Sequence, residues 1–432
     1  MSDAAAPSPV IAGRRPTEWK GDAMRKRIAR RYRDERRFAT LGLVAVSLSA
    51  VFLAFLLFTM VGKGIGGFQR AEIALDIDFP AATGGMTMES MEGDRAYATV
   101  RTIDVAGVIN AAADGQLRAV SSITGAPPAI SPGAAVELRD MLFDDPALIT
   151  RKERIWLPAS SLVDRAYKAG GRPEAERVVE TLEREDRIRG SFNMTFLSGS
   201  DATDPSQAGI WAAFKGSLLT MGITILLAFP IGVAAALYLE EYAPKSRFTD
   251  MIEVSINNLA AVPSIIFGLL GLVVFINWFA MPRSSALVGG LTLALMTMPV
   301  IVIAGRNAIK SVPPSIREAA LGVGASPVQV VFHHVLPLAL PGILTGTIIG
   351  MARALGETAP LIMIGMRAFI PSPPQGLVEP ATVLPMQIYL WSDEVDAGFV
   401  EKTSAAIIVL LIFLLSMNAL AIYLRNRFET RW

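Results

Sequence analysis

Apolar runs long enough to cross a membrane recur along the chain. Stretches free of Asp, Glu, Lys and Arg cover Ala39–Val61, Gly216–Leu239, Val254–Pro282, Ser284–Gly305 and Thr403–Leu424. Each meets the roughly 20 apolar residues that a bilayer core of about 30 Å demands of a helix. Gly342–Ile364 is as apolar but contains Arg353 and Glu357. The pattern predicts six spans, at about 39–61, 216–239, 254–276, 284–305, 342–364 and 403–424. The first is a signal anchor and not a cleaved leader, because its apolar core is too long and no A-x-A site precedes Lys63. Between the first two spans the pattern changes. Glu72–Phe79 alternates with period two and predicts a strand. Pro173–Arg189 is rich in Glu, Arg and Leu and predicts a helix, with Pro173 in its first turn. The expected fold class is an all-α membrane protein of six transmembrane helices with a small α+β domain inserted between helices 1 and 2.

Composition explains where the polarity went. Of 432 residues 52% are hydrophobic and 18% charged, against about 25% charged in an ordinary soluble protein. Residues 1–208 hold 54 charges and residues 209–432 only 25. The 40 basic and 39 acidic side chains leave a net +1, without the basic excess that a nucleic-acid partner needs. Zero cysteines remove disulfides and thiolate metal sites. The adjacent pair His333 and His334 makes a poor zinc site, and no metal or cofactor is expected.

Charge order then orients the spans. Residues 1–38 carry eleven basic residues, including Arg14, Arg15, Lys20 and the run Arg25–Arg37, so this segment is expected in the cytoplasm. The run reads as a topology signal beside anionic lipid. With six spans both termini face the cytoplasm, and the loops there hold Lys245, Arg247, Arg306, Lys310 and Arg317, with Arg425, Arg427 and Arg431 in the tail. The short loops opposite hold Arg283, Arg367 and Lys402. Residues 62–208, with 16 basic and 22 acidic side chains, become an extracytoplasmic domain, since long domains translocate whatever their charge. Residues 209–432 form the membrane domain proper.

Several motifs carry less than their spelling. Gly62-Lys-Gly-Ile-Gly-Gly67 matches G-x-G-x-x-G, but it follows a membrane span instead of a strand and reads as a flexible exit from the bilayer. No G-x-x-x-x-G-K-[ST] occurs, so any ATP hydrolysis belongs to another subunit and the chain is not expected to be an enzyme. The cytoplasmic loop 311–337 says more. Ser315 and Glu318 have capping-box spacing after two prolines and predict a helix start. Ala319 and Ala320 give that helix a small-residue surface for a close partner. Gly322 or Gly324 can end it. Ser326-Pro327 caps a second short helix, and Leu336-Pro337 ends it and turns the chain back to the membrane.

At these residues the sequence resembles the membrane subunits of ABC importers, whose signature runs E-A-A, three residues, Gly, nine residues, Ile, one residue, Leu-Pro. Glu318, Ala319, Ala320, Gly324, Leu336 and Pro337 fall on it, whereas His334 occupies the Ile position, with Val335 beside it. Asn257-Asn-Leu-Ala-Ala-Val-Pro-Ser-Ile-Ile-Phe-Gly-Leu-Leu-Gly271 and Gly350-Met-Ala-Arg-Ala-Leu-Gly-Glu-Thr-Ala-Pro360 look like span signatures of phosphate permeases. Over about 209–432 the chain resembles PstA-type permeases of phosphate ABC importers. That resemblance implies docking of an ATPase subunit on the loop, a homologous second permease subunit, an extracytoplasmic phosphate-binding protein, and phosphate as substrate in a bacterial inner membrane. Sulfate and molybdate permeases share the docking motif, so those oxyanions stay open.

Charges at membrane depth are costly and point to function. Arg353 and Glu357, four apart, read either as an ion pair fixing helix register or as part of the translocation path, with Arg353 holding an oxyanion. Pro263 can kink the third span, and Asn257 and Asn258 fit packing between helices. Met296 and Met298 read as core. A membrane sensor would follow its outer domain with a cytoplasmic output module, and only eight residues follow Leu424. A membrane-embedded enzyme would need clustered His, Asp or Glu at the membrane, and the sixth span, Thr403–Leu424, holds none.

Overall fold

A computed structural model of the chain describes residues 21–82 and 100–428. Arg14, Arg15, Lys20 and Arg431 lie outside the described residues. The chain divides into two compact units, Met1–Thr59 and Met60–Trp432. The described part of the first is one helix, α1, which runs Asp22–Gly64 and gives its last turn to the second unit. Its apolar side chains have no protein core, with Phe38 80%, Leu41 68% and Phe58 81% exposed. A helix that apolar and that uncovered is long enough to cross a membrane.

The second unit opens with a 3-10 turn, Ile65–Phe68, and the strand β1, Gln69–Asp78. The glycines that read as a flexible exit are instead packed. A Cβ on Gly67 would lie 2.6 Å from the Cβ of Ala405, and one on Gly64 2.5 Å from Ile408. Their spacing serves close helix packing. Helices α2 (Val105–Gln116) and α3 (Ala134–Asp144) follow, then β2 (Lys152–Pro158), α4 (Ser161–Ala169), α5 (Pro173–Arg184) and β3 (Ile188–Phe192). Pro173 does sit in the first turn of α5, but the helix ends at Arg184 and Arg189 belongs to a strand. The sheet is antiparallel, ordered β2-β1-β3, with Leu75 opposite Ile155 and Ile73 opposite Ile188. Ile73, Leu75 and Ile77 pack on Leu138, Leu157 and Leu182 in one core.

Glu72 on β1 points at two guanidiniums. Arg189 donates to its Oε2 at 2.8 Å and Arg70 to its Oε1 at 2.8 Å, while Arg70 also reaches Glu137 at 2.6 Å. Burial alone would push the carboxyl up, but the bonds from Arg189 and Arg70 outweigh it and hold Glu72 below its ordinary 4.5. A depressed carboxylate stabilises the fold above its unfolded value and loses that contribution as pH falls through the folded one. Glu72→Ala is therefore expected to destabilise this region by about 2–3 kcal/mol at pH 7, discounting the buried-pair range for the half-exposed Arg189. Urea-dependent proteolysis of the purified chain checks this, and the difference should shrink below pH 4.5.

The remaining elements are helical. Helix α6, Trp211–Leu237, continues through a π turn at Tyr238–Tyr242. Helix α7, Arg247–Ala260, and helix α8, Ser264–Gly271 with its π extension Leu272–Trp278, meet at 101°. The third span is thus broken, not merely kinked: Pro263 lacks the N–H that would continue α7 and caps α8 instead. Helix α9, Ala286–Lys310, is parallel to α6. Gly290 packs on Ile223, Gly232 on Ile301 and Gly305 on Ala236, and Arg306 reaches Glu240 at 3.2 Å. Two parallel neighbours require the chain between them to return, so the bent pair α7–α8 makes one crossing.

Helix α10, Pro314–Gly322, and a turn at Pro327–Gln329 lead into a π segment, Val330–Val335, that runs without interruption into α11, Leu336–Gly356. Leu336-Pro337 therefore does not end a helix. The π segment changes the bonding register just ahead of Pro337, whose missing N–H is then tolerated. Helix α11 is antiparallel to α9 on small residues, Gly342 on Ala308 and Gly346 on Ala304. It stops at Gly356, eight residues short of the expected Ile364. A short α12 (Ala359–Met363), α13 (Leu384–Ser392) and the long α14 (Gly398–Phe428) complete the fold. Lys402 lies inside α14 and is 6% exposed, not in a loop. At this end Lys168 reaches Glu401 at 3.2 Å and Trp391 Nε1 donates to Asp201 at 2.9 Å, seating α4 and the segment before α6 on the helices.

Candidate functional site

Two places combine exposure with built geometry. The first is the end of the bundle that holds Glu240, Arg306 and α10. Helix α10 begins at Pro314, with Pro313 as N-cap and no side-chain cap bond, so Ser315 and Glu318 form no capping box. The proline pair fixes the entry by its own φ and leaves no role for the Ser315 hydroxyl. The reciprocal box sits one helix later: Ser326 Oγ accepts from Gln329 N at 3.3 Å, and Gln329 Oε1 from Ser326 N at 2.9 Å. Between them Gly324 turns at φ +91°, a conformation glycine takes at little cost.

Arg317 anchors this element. Its guanidinium donates to Glu241 at 2.7 Å, to the Val312 carbonyl at 2.6 Å and to the Ile309 carbonyl at 3.0 Å. Arg306 bridges Glu240 and Glu253 at 3.2 and 2.9 Å. Arg317 thus ties α10 to the ends of α6 and α9, and Arg306 ties α9 to the end of α6 and to the middle of α7. The six motif residues divide by exposure. Glu318, Ala319 and Gly324 are exposed, Ala320 is buried, and Leu336 and Pro337 are half-buried. His334 is exposed, whereas Val335 is wholly buried and packs the fold. Beside them stand four exposed apolar residues that the sequence did not single out, Leu321, Val323, Val328 and Phe332, with Val323 87% exposed. The only sequence signal for the latter two is their i, i+4 spacing.

The second place is where α11 stops. Gly350 packs against Thr297 and Val300, near the middle of the 25-residue α9. Arg353 lies one turn further, so its level is close to mid-bundle. Glu357 follows the helix end in extended conformation at ψ 121°. The pair nevertheless forms, with Arg353 Nε 3.4 Å from Glu357 Oε1, on a side where Arg353 is 49% and Glu357 20% exposed. Ile349 and Gly356 share this open face. Behind it α12 packs on α8, where a Cβ on Gly268 would meet Pro360 Cα at 2.6 Å. Asn257 and Asn258 lie on the exposed face of α7 and do not join helices of this chain. Met296 is buried and Met298 half-buried, as core residues are.

Broken helices at membrane depth, parallel and antiparallel packing on small residues, and a tied loop at one end define a helical membrane permease. Residues 228–432 match the family described as binding-protein-dependent transport system inner membrane component, and residues 25–177 match one described as a domain of unknown function (DUF3333). The phosphate transport system permease protein PstA of Haemophilus influenzae is 32% identical over 228 residues, 53% of this chain and 79% of that protein. PstC of the same organism is 30% identical over 269 residues, 56% of this chain and 82% of that protein. PstA 1 of Mycobacterium tuberculosis is 35% identical over 158 residues, 36% of this chain and about half (51%) of that protein. The chain belongs to the family of binding-protein-dependent transport permeases: it is a multi-pass membrane subunit of an ABC importer, and such subunits are not themselves catalytic.

Proposed function

We propose that this permease carries phosphate inward as half of a translocation pathway. The observation that carries the reading is Arg353, half-exposed at mid-bundle where α11 breaks off, on a face this chain leaves open. A guanidinium in that position offers a phosphate two parallel donors. Glu357, which pairs with Arg353, orients it and keeps anion affinity low enough for release. Breaks in facing helices at the membrane midplane are how many transporters build a substrate site. Against a purely register-fixing role stand the half exposure of Arg353 and the single 3.4 Å contact. The permease relatives named for phosphate support this choice of oxyanion.

On this reading a second, homologous permease subunit closes the open face, and an extracytoplasmic phosphate-binding protein delivers substrate. An ATPase subunit docks on the exposed Glu318, Ala319 and Gly324, with Ala320, Leu336 and Pro337 backing the element. The basic residues at the α10 end support a cytoplasmic side for that end and for both termini in a bacterial cell, with residues 62–208 outside. The substrate is tested with the reconstituted complex: phosphate should stimulate ATP hydrolysis several-fold more than sulfate or molybdate. Equal or greater stimulation by either of those would transfer the reading to another oxyanion.

A further inference from the structure

Where α1 ends and α14 begins, the second unit forms an open groove of about 400 Å³ between the 3-10 turn Ile65–Phe68, helix α4 and the first turn of α14. The glycine contacts of Gly64 and Gly67 with Ser404 and Ala405 hold the two helix ends together beside it. Three cations line it, and they differ. Lys168 is 9% exposed and neutralised by Asp164 at 2.5 Å and Glu401 at 3.2 Å. Lys63 and Arg165 are exposed and enter no ion pair among the described residues. Apolar Ile65 and Val400, 52% and 55% exposed, lie in the same lining.

The level of the groove matters. The apolar run of α1 ends at Val61 and that of α14 begins at Thr403, so the groove opens where both helices leave the hydrocarbon. A soluble ligand has no use for half-exposed isoleucine and valine beside two free cations. A lipid does, because its headgroup carries the anion and its chains continue down the apolar side. We propose that this groove binds the headgroup of an anionic phospholipid, with Lys63 and Arg165 on the phosphodiester, Ile65 and Val400 against the apolar edge of the glycerol backbone, and the acyl chains leaving the groove past Val61 into the hydrocarbon. A zwitterionic lipid presents the same phosphodiester together with an ammonium that these cations repel. The proposal requires α1 and α14 to cross a bilayer and is independent of the transported substrate.

Native mass spectrometry of the purified complex tests it with phosphatidylglycerol, phosphatidylcholine and inorganic phosphate as probes. The wild type should retain phosphatidylglycerol over phosphatidylcholine. Lys63→Gln with Arg165→Gln should weaken that retention about twenty-fivefold, at about fivefold per cation near a membrane surface. Arg177→Gln, on the exposed face of α5, should leave it unchanged. Equal retention by the double variant, or an equal loss in the Arg177 variant, overturns the site. Displacement of the lipid by millimolar phosphate would assign the two cations to free phosphate and overturn the lipid. Phosphate uptake by the double variant should stay normal, so failure here and failure of the transport reading are separately visible.

Discussion

Arg353→Leu is expected to lower phosphate uptake by at least about a hundredfold in a complex that still assembles. Two charge-assisted bonds to an oxyanion, each worth about 1.5–3 kcal/mol, account for a loss of that size. Arg353→Lys keeps the charge but not the planar fork, so it should recover only part of the rate. The decisive variant is the double replacement of Arg353 and Glu357 by leucine. If the pair merely fixes helix register, an apolar substitute for both partners is tolerated and uptake returns. If Arg353 meets the substrate, the double variant stays inactive. Radiolabelled phosphate uptake into vesicles, with co-purification of the other subunits as the assembly control, measures all three. Wild-type uptake in Arg353→Leu would end the substrate-path reading.

How these features stand in the sequence differs for physical reasons. The alternation of Glu72–Phe79 was readable as a strand because Ile73, Leu75 and Ile77 enter one core while the polar Glu72, Asp76 and Asp78 fall between them, and the observed strand is Gln69–Asp78. Five helices long and apolar enough to cross a membrane were readable from apolar length, and the bent pair α7–α8 brings the number to as many as six. The breaks were not. Pro263 announces a disturbance but not its angle, which depends on where α8 finds its packing partner, here Pro360 and Met363 against Gly268. The end of α11 is less visible still, since apolar residues continue to Ile364 while the backbone leaves the helix at Glu357. Composition reports solvent, and lipid surrounds a broken helix as it does a straight one. The motif Glu318–Pro337 could be spelled out residue by residue, yet its division into exposed and buried members needed the fold. So did the exposed Val323 and Phe332, because no periodicity tells which side of a short helix is left uncovered.

That uncovered side yields the last expectation. Glu318→Lys combined with Val323→Asp should weaken association with the ATPase at least about thirtyfold, the effect of removing one interface hot spot of about 2 kcal/mol. Both side chains point into solvent in this chain, so the fold itself should be unaffected. Arg317→Ala is expected to do the converse. Its guanidinium touches Glu241 and the carbonyls of Ile309 and Val312 and so ties α10 to the bundle. Cutting that tie leaves the docking surface in place but lets it move without the helices. The ATPase should still bind, while phosphate no longer stimulates its hydrolysis and uptake falls. Pull-down and ATPase assays on the same preparations separate the two effects. An Arg317→Ala complex with undiminished uptake would show that force reaches the spans by another route, through the helix that runs from Pro327 into α11.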